Sequence, residues 1–529
     1  MKKKQLDILL DNTQSLNGLK KSDFIKNEEN ARAEKRLSEM LDKKQQKLFD
    51  KFNTQVNNKS KKPKNYSINN LKIIGITGSC GKTSVALLIH RYLISIGKKS
   101  VLYSSAYIDS PASSISRDGA FESIHLDETE LLNIINECRA YEAEYLILEC
   151  WEESINRGIY KNIPFDLKVL TSFMADTVVE GLRDRYFNNK LDFLASNNTP
   201  VIMNLNRSEA DYSGCRRLDF INKIKGEQIY YGLDKPTTEG LCEKVLNYTW
   251  NNNKGWYELK TLESTLVNME TKTFGDIMLN IHLFGTLNVL NAIGAFAVLD
   301  FFNEIDITAW KEFIEDETLY IAGRNQVINY KNRKIIIARE PRTIIKEVKS
   351  LVGYLEEVKN RGLLPYNDFG YNIPLEKINK IIGVIGLTEP MVVGANQYSK
   401  EFSKKIGRNT DALTENFFGK EWILDNRVTK VYNENLDRVV ISPTDLGSAD
   451  YNQVVETIKS KLTIPATDNR NRYKAILQAI MTSEPNDVIL ILGRGNNNTN
   501  ITTYNTVEYG SDLDFINKAI KALDSIDFE

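Results

Sequence analysis

Residues 75–84 have the sequence Gly75-Ile76-Thr77-Gly78-Ser79-Cys80-Gly81-Lys82-Thr83-Ser84. They follow an apolar run (71–76) that predicts a strand, and they precede residues 85–96, whose apolar spacing predicts a helix. A glycine-rich turn in this setting is typical of a phosphate-binding loop, because backbone N–H groups and the helix start face one anion. Lys82 would reach the β- and γ-phosphates, and the Thr83 hydroxyl would bind Mg²⁺. A purely structural turn is the alternative.

The residues beyond this motif alternate between short apolar runs and helical spacing. The predicted strands are 100–103, 144–149, 167–173 and 200–204, and the predicted helices include 128–141 and 288–302. This alternation predicts a parallel α/β sheet. Residues 244–284, which are rich in aromatic side chains, Thr and Asn, predict a small antiparallel patch.

A second α/β unit is predicted from about residue 326. Its predicted strands are 334–338, 381–385, 438–441 and 487–492, and its predicted helices include 451–462 and 471–482. Because such strands end in loops at one edge of the sheet, a second site is expected there.

The amino-acid composition is that of an ordinary globular protein. The chain has 529 residues, 42% hydrophobic and 26% charged, with a formal net charge of -1. These values are ordinary for globular proteins and argue against a surface that binds nucleic acid throughout. Residues 1–65 differ, with 17 Lys and Arg against 9 Asp and Glu. They predict a basic helical extension and linker over 1–68, either a solvated arm or one that meets an anionic partner.

Cysteine and histidine usage points to a reducing compartment. The three histidines lack metal-site spacing, and the five cysteines form no Cys-x-x-Cys pair. The apolar run at 6–10 is too short for a signal peptide, and no segment is long and apolar enough to span a membrane. These features predict a cytoplasmic protein with free thiols.

The loop resembles the P-loop variant of the Mur ligase family, and it is most similar to the UDP-N-acetylmuramoyl-tripeptide synthetase branch. Ile76 stands where the generic P-loop pattern has glycine. Further segments agree with the family in chain order over about residues 70–500, namely Leu146-Ile147-Leu148-Glu149, Thr171-Ser172-Phe173-Met174-Ala175-Asp176, Asn288-Val289-Leu290-Asn291-Ala292 and Ala322-Gly323-Arg324. Asn471–Ile476 and Gly493–Gly495 resemble C-terminal family signatures.

The resemblance implies a set of site residues. ATP would be bound by Gly78, Ser79, Cys80, Gly81, Lys82, Thr83, Ser84, Asn291 and Arg324. Mg²⁺ would be held by Thr83, Glu149 and Lys190, with Lys190 carrying a carbamate. Lys82, Lys190 and Arg324 would be catalytic. A solvated carboxylate at Glu149 and an ordinary surface lysine at Lys190 are the alternatives.

Several positions depart from the family pattern. Thr177 stands in place of a histidine, and Trp151-Glu152-Glu153 replaces the segment that reads the acceptor. Ala338-Arg339-Glu340-Pro341 and Pro443-Thr444-Asp445-Leu446 replace two further signatures. The resemblance does not cover the first 65 residues, where family members usually have a UDP-gripping domain, so weak or no use of UDP-linked muramoyl peptides is expected.

The resemblance implies an α/β fold with three parts: the helical extension (1–68), a P-loop parallel-sheet domain (69–324) and a C-terminal Rossmann-like domain (325–529). The implied activity is ATP-dependent amide-bond formation through an acyl phosphate. A small-molecule or peptide carboxylate would be the acceptor, and an amino acid would be the amine. A folylpolyglutamate-synthase-like ligase and a degenerate ATP-binding scaffold are the alternatives. The sequence leaves the oligomeric state open.

Overall fold

The computed structural model describes residues 71–105, 107–110, 113–115, 128–172, 180–205, 215–233, 248–250, 259–338, 355, 378–386, 426–442, 451–495, 499–501, 506–508 and 510–527. All of them lie in the compact unit Asn69–Glu529. The predicted basic extension, residues 1–68, lies outside the described residues.

Strands and helices alternate along the described residues. The strands are β1 (Lys72–Thr77), β2 (Ser100–Tyr103), β3 (Ile108–Ser110), β4 (Ser113–Ile115), β5 (Tyr145–Glu149), β6 (Leu167–Leu170), β7 (Val201–Asn204), β8 (Gln228–Leu233), β9 (Tyr248–Trp250), β10 (Leu259–Lys260), β11 (Thr265–Thr271), β12 (Gly275–Ile281), β13 (Arg324–Tyr330), β14 (Arg333–Ala338), β15 (Ile381–Ile385), β16 (Arg438–Ile441), β17 (Ala466–Asp468), β18 (Val488–Leu492), β19 (Thr499–Ile501) and β20 (Thr506–Glu508). The helices are α1 (Lys82–Ser95), α2 (Glu128–Ala140), α3 (Glu152–Asn156), α4 (Glu180–Ala195), α5 (Cys215–Lys223), α6 (Thr286–Phe301), α7 (Ile307–Ile314), α8 (Asn426–Asn435), α9 (Tyr451–Lys459), α10 (Arg472–Met481) and α11 (Asp512–Asp527).

The first sheet has twelve strands in the order β10-β11-β9-β8-β7-β6-β1-β5-β2-β3-β4, with β12 paired to β11. The run from β9 to β2 is parallel throughout. Strands β5, β6 and β7 are buried along their whole length, as expected for strands covered on both faces.

Helices cover both faces of this sheet. Helices α1, α6 and α7 share one hydrophobic core with the sheet, and α2, α4 and α5 share the other. In the parallel register, Ile76 lies opposite Glu149, and Thr77 lies opposite Leu170. Strands β1, β5 and β6 therefore end at the same edge, and the residues that follow them lie together there.

The second sheet has six strands in the order β13-β14-β18-β15-β16-β17. Only the edge pair β13–β14 is antiparallel, and the other pairs are parallel. Helices α8 and α9 cover one face, and α10 and α11 cover the other. The two helix-covered sheets confirm the predicted α/β class.

The two sheets touch through a turn of the first sheet. Leu262, in that turn, belongs to the hydrophobic core of the second sheet. The neighbouring Glu263 carboxylate accepts a hydrogen bond from Asn329 Nδ2 at 2.7 Å and pairs with Lys334.

Most predicted elements match the structure within a few residues, including the strands at 100–103, 381–385 and 438–441. The predicted antiparallel patch differs in one respect. Strand β9 runs parallel to β8, so the patch extends the main sheet and is not a separate one. Backbone pairing along β8 gives β9 its hydrogen-bond partners, and the antiparallel pairs begin beyond it with β11.

Candidate active site

Residues 78–81, here called the phosphate loop, join β1 to α1. Gly78 and Gly81 have φ values of 141° and 84°, which favour glycine. A Cβ at Gly78 would lie 2.2 Å from Thr171 Oγ1, and a Cβ at Gly81 would lie 2.3 Å from Asn291 Oδ1. Both the backbone conformation and the close neighbours therefore require glycine at these two positions.

Residues at the end of β6 hold the phosphate loop in shape. The Ser172 hydroxyl oxygen accepts hydrogen bonds from the N–H groups of Ser79 (3.0 Å) and Cys80 (2.8 Å). The Thr171 hydroxyl donates to the Cys80 carbonyl at 2.5 Å. Sequence reasoning did not select these two side chains. Their signal was their place directly after a buried strand beside the loop.

Lys82 begins α1 and is almost fully buried. Its ammonium donates a hydrogen bond to the Gly78 carbonyl at 2.7 Å and lies 5.9 Å from the centre of the Trp151 ring. The cation is thus folded over the phosphate loop. The next side chains of α1, Thr83 and Ser84, are also buried.

Thr83 and Glu149 come together beside the loop. The Thr83 hydroxyl donates to Glu149 Oε2 at 2.9 Å, and only 2% of Glu149 is exposed. The same carboxylate accepts from the Ser105 N–H (2.9 Å to Oε2) and from the Trp151 indole N–H (3.1 Å to Oε1). Sequence reasoning missed both of these donors.

A hydroxyl and a carboxylate oxygen are ligands that suit Mg²⁺. Among the described residues, no group of three or more His, Cys, Asp or Glu side chains could hold a metal ion. Two protein ligands are nevertheless enough for an ion that keeps waters and also binds nucleotide phosphates. Thr83 and Glu149 therefore fit a nucleotide-bound Mg²⁺.

Lys190 is a buried lysine with two polar partners near the phosphate loop. Its ammonium lies 3.0 Å from Glu152 Oε1 and donates to the Ser79 hydroxyl at 2.8 Å. Only 1% of Lys190 and 6% of Glu152 are exposed. The carbamate at Lys190 and its part in holding Mg²⁺ stay predictions.

Glu152 faces two cations. Burial by itself raises the pKa of its carboxyl, but the charges of Lys82 and Lys190 outweigh burial and hold that pKa well below its ordinary value. Glu152 is therefore a carboxylate at neutral pH.

Asn291 lies on α6 against the phosphate loop. Its amide nitrogen donates to Asn288 Oδ1 at 3.2 Å, and Asn288 Nδ2 donates to the Phe284 carbonyl at 3.0 Å. The contact of Asn291 with adenine stays a prediction.

Arg324 begins β13 directly after Gly323, and it pairs with Ala338 of β14. The adjacent Asn325 lies near Gly285, which caps the start of α6. The first turn of the second sheet thus lies close to the helix that carries Asn291. The role of Arg324 toward the nucleotide also stays a prediction.

The loop that follows β18 is held in place by a buried ion pair. Arg472 and Asp512 form a buried bidentate pair, with N–O distances of 2.9 and 3.1 Å. Asp512 Oδ2 also accepts from the N–H groups of Arg494 and Gly495. Asp512 thus accepts hydrogen bonds from the backbone of the Gly493–Gly495 loop.

Some residues singled out in the sequence lie outside the described residues. They are Asp176 and the positions that differ from the family pattern at 177, 339–341 and 443–446.

Comparisons with known proteins agree with this geometry. The family model described as the Mur ligase middle domain matches residues 76–299, which include the phosphate loop, Glu149, Lys190 and Asn291. The predicted resemblance to the Mur ligase family is thus confirmed over these residues. The same comparisons confirm the prediction of an ATP-dependent carbon–nitrogen ligase.

Individual relatives of the Mur ligase family are distant. The chain is 21% identical over 456 residues to UDP-N-acetylmuramoyl-L-alanyl-D-glutamate--2,6-diaminopimelate ligase of Vibrio parahaemolyticus serotype O3:K6, which covers 84% of this chain and 76% of that protein. It is 23% identical over 440 residues to UDP-N-acetylmuramyl-tripeptide synthetase 2 of Oceanobacillus iheyensis, with 80% and 73% coverage.

A solved structure of a UDP-N-acetylmuramoyl-L-alanyl-D-glutamate--2,6-diaminopimelate ligase has the same fold. It superposes with a TM-score of 0.53 at 16% identity, covering 86% of this chain and 79% of that one.

None of the described helices is long and apolar enough to cross a membrane.

Proposed function

We propose that this ligase uses Mg-ATP to activate a carboxylate as an acyl phosphate and joins it to an amino-acid amine as an amide. The observation that carries the proposal is the convergence of Lys82, Thr83 and Glu149 at one phosphate loop. A lysine and a Mg²⁺-binding pair beside a loop of this shape supply the charge that phosphoryl transfer requires.

Different residues of the site bind the nucleotide phosphates, the metal ion and the rest of the nucleotide. The phosphate loop and the start of α1 bind the nucleotide phosphates, with the Lys82 ammonium turning from the Gly78 carbonyl to a phosphate oxygen. Thr83 and Glu149 would hold Mg²⁺, which neutralises phosphate charge when bound. Ser105 and Trp151 fix the Glu149 carboxylate by their hydrogen bonds. Asn291 and Arg324 contact the nucleotide from α6 and from the start of β13.

The proposed reaction has two steps, formation of the acyl phosphate and formation of the amide. A carboxylate oxygen of the acceptor attacks the γ-phosphorus of ATP, and the bond to the ADP oxygen breaks. The neutral amine then attacks the acyl carbon, the tetrahedral intermediate expels phosphate, and the nitrogen loses one proton to solvent. Closure of the C-terminal domain (325–529) on the central domain (69–324) would exclude the water that hydrolyses acyl phosphates.

The acceptor is proposed to differ from the UDP-linked peptides of the named relatives. Trp151 and Glu152 stand where the family reads its acceptor, and here they face inward, to Glu149 and to Lys190. Side chains engaged in this way are not available to bind an acceptor. A small-molecule or peptide carboxylate of another kind is therefore the proposed substrate.

Lys82→Ala tests the site. We expect loss of ATP turnover by at least about 100-fold, because the variant lacks the ammonium that lies over the loop. Lys99→Ala is the matched control, since Lys99 is half exposed and makes surface contacts with Glu142 and Tyr141. Phosphate release would be followed while carboxylate–amine pairs are screened. Wild-type turnover in Lys82→Ala would overturn the site assignment.

The same screen separates the alternatives. A glutamylated pterin product would indicate a folylpolyglutamate-synthase-like ligase. ATP binding without phosphate release for any carboxylate–amine pair would favour a scaffold protein. Efficient use of a UDP-linked muramoyl dipeptide would overturn the proposed change of acceptor.

A further inference from the structure

Thr171, the residue that follows β6, holds a carbonyl group of the phosphate loop. Its hydroxyl oxygen lies 2.5 Å from the Cys80 carbonyl oxygen and 3.2 Å from the Thr77 carbonyl oxygen. Because the hydroxyl has one proton to donate, the shorter contact, to Cys80, is the stronger hydrogen bond. Only 4% of Thr171 is exposed, so this hydroxyl is largely removed from solvent.

The direction of the Cys80 carbonyl determines the direction of the next N–H group. Peptide units are planar and trans, so the Cys80 carbonyl and the Gly81 N–H point in opposite directions. Since the carbonyl faces Thr171, the Gly81 N–H points away from the end of β6. Gly81 is the N-cap of α1, and no described side chain caps this helix start. The Gly81 N–H therefore lies next to the N–H groups with which a helix start binds an anion.

Glycine makes the Cys80–Gly81 peptide easy to reverse. Gly81 has a φ value of 84°, and glycine adopts positive and negative φ values about equally readily. A reversed peptide would direct the Cys80 carbonyl oxygen, which carries partial negative charge, toward the anion. A larger residue cannot prevent this reversal, because a Cβ at Gly81 would lie 2.3 Å from Asn291 Oδ1. A partner outside the loop must therefore hold the peptide.

We propose that Thr171 is a positioning residue that locks the Cys80–Gly81 peptide in the orientation that binds phosphate. The inference rests on the proposed function only for the identity of the anion, the phosphates of a nucleotide. The hydrogen bond to the peptide can itself be measured in the nucleotide-free protein.

Further hydrogen bonds hold both partners of this lock. The Thr171 N–H donates to the Thr77 carbonyl of β1 at 2.9 Å, and the Thr171 carbonyl accepts from Asn204 Nδ2 of β7 at 2.9 Å. Thr171 is thus tied to the strands on both sides of β6. On the loop side, the Cys80 N–H donates to the Ser172 hydroxyl oxygen at 2.8 Å. A loop prepared in this way loses less conformational freedom when a phosphate binds.

Selective NMR labelling of the nucleotide-free protein tests the lock. Cys80–Gly81 is the only Cys–Gly step in the 529-residue sequence. Protein with ¹³C at the cysteine carbonyls and ¹⁵N at glycine therefore gives a single carbonyl–amide correlation. We expect its carbonyl resonance to move to lower frequency in Thr171→Val and Thr171→Ala, because the carbonyl loses a hydrogen bond, and to return in Thr171→Ser. An unchanged resonance in the valine and alanine variants would overturn the proposal.

Nucleotide affinity tests the consequence of the lock. Losing one buried hydrogen bond favours the reversed peptide, so we expect ADP to bind Thr171→Val about five- to tenfold more weakly than wild type. Thr171→Ser keeps the hydroxyl and should stay within about twofold of wild type. Adenosine, which has no phosphate, should bind all three proteins equally. Unchanged ADP affinity in Thr171→Val, or an equal loss of adenosine affinity, would overturn the proposal.

The control is Thr271→Val. The buried Thr271 hydroxyl donates to the Gly275 carbonyl at 3.0 Å, in the turn between β11 and β12. This variant removes the same kind of hydrogen bond from another turn of the first sheet, so the NMR signal and the ADP affinity should not change. An ADP loss equal to that of Thr171→Val would overturn the lock as its cause. If Lys82→Ala bound and hydrolysed ATP normally, the proposed function would fail, but the NMR result on Cys80–Gly81 would still stand.

Discussion

The Trp151 side chain helps to fix the orientation of Glu149, the proposed magnesium ligand. Its indole N–H donates to Glu149 Oε1, while Thr83 and the Ser105 N–H use Oε2. Both oxygens of the carboxylate are therefore held, and its orientation is defined before a metal ion binds. A ligand prepared in this way loses less conformational freedom on binding.

Trp151→Phe keeps an aromatic ring beside Lys82 but removes the indole N–H. We expect the Mg²⁺ concentration for half-maximal ATP turnover to rise about three- to tenfold, because a hydrogen bond to a charged group is lost. The control is Trp310→Phe, since the Trp310 indole N–H has no hydrogen-bond partner within the described part of the chain. An unchanged Mg²⁺ requirement in Trp151→Phe would contradict the role given to this tryptophan.

At the scale of elements, hydrogen bonds from Lys168 of β6 hold the C-terminal end of α4. The Lys168 ammonium donates to the carbonyls of Phe193 (2.8 Å) and Ser196 (2.6 Å) and to the Ser196 hydroxyl (2.8 Å). A cation is favourable at the C-terminal end of a helix. The contacted carbonyls follow Lys190 by three and six residues, so this anchor helps to keep the Lys190 side chain at the phosphate loop.

The anchor should give stability a distinct pH dependence. Burial lowers the pKa of Lys168 to about 8, below its ordinary value of 10.5. Between these two values the unfolded chain binds more protons than the folded chain, so rising pH stabilises the fold. The free energy of unfolding of wild type, minus that of Lys168→Met, should therefore increase from pH 8 to pH 10. Urea unfolding at several pH values measures this difference, and a flat or falling difference would contradict the low pKa.

At the scale of the whole molecule, Glu263 links the two sheets described here. It pairs with Lys334 and accepts from Asn329, while Leu262 beside it packs into the second core. Polar contacts at a junction of this kind are weaker than a hydrophobic core, so the junction is where movement between the sheets is expected.

Glu263→Ala should loosen this junction without unfolding either sheet. We expect hydrogen–deuterium exchange in residues 324–338 to become about two- to fivefold faster, the effect of losing a partly exposed ion pair worth ~0.5–1 kcal/mol. Exchange in β1 should not change. Glu484→Ala removes a more exposed pair with Lys380 and serves as the control. Equal acceleration in β1 would indicate general destabilisation, not a local link.

Local patterns in the chain were enough to predict the elements and the centre of the site. The phosphate loop depends on backbone φ angles and on adjacent N–H groups, which are properties of ten consecutive residues. The buried strands were likewise visible as apolar runs, because a parallel strand is covered on both faces. Lys82, Thr83 and Glu149 could be chosen in advance because the first two follow the glycine-rich loop and Glu149 ends a predicted strand.

The partners of these residues depend on tertiary structure. Ser172 reaches Ser79 across 93 residues of chain, Ser105 reaches Glu149 across 44, and Lys190 reaches Ser79 across 111. These contacts arise from the order β6-β1-β5-β2, which crossover helices set by packing and not by local sequence. For the same reason, no short pattern showed that Glu152 is the counterion of Lys190. The type of chemistry could therefore be predicted from the chain, whereas the charge balance around it results from the packing of α3 and α4 beside the loop.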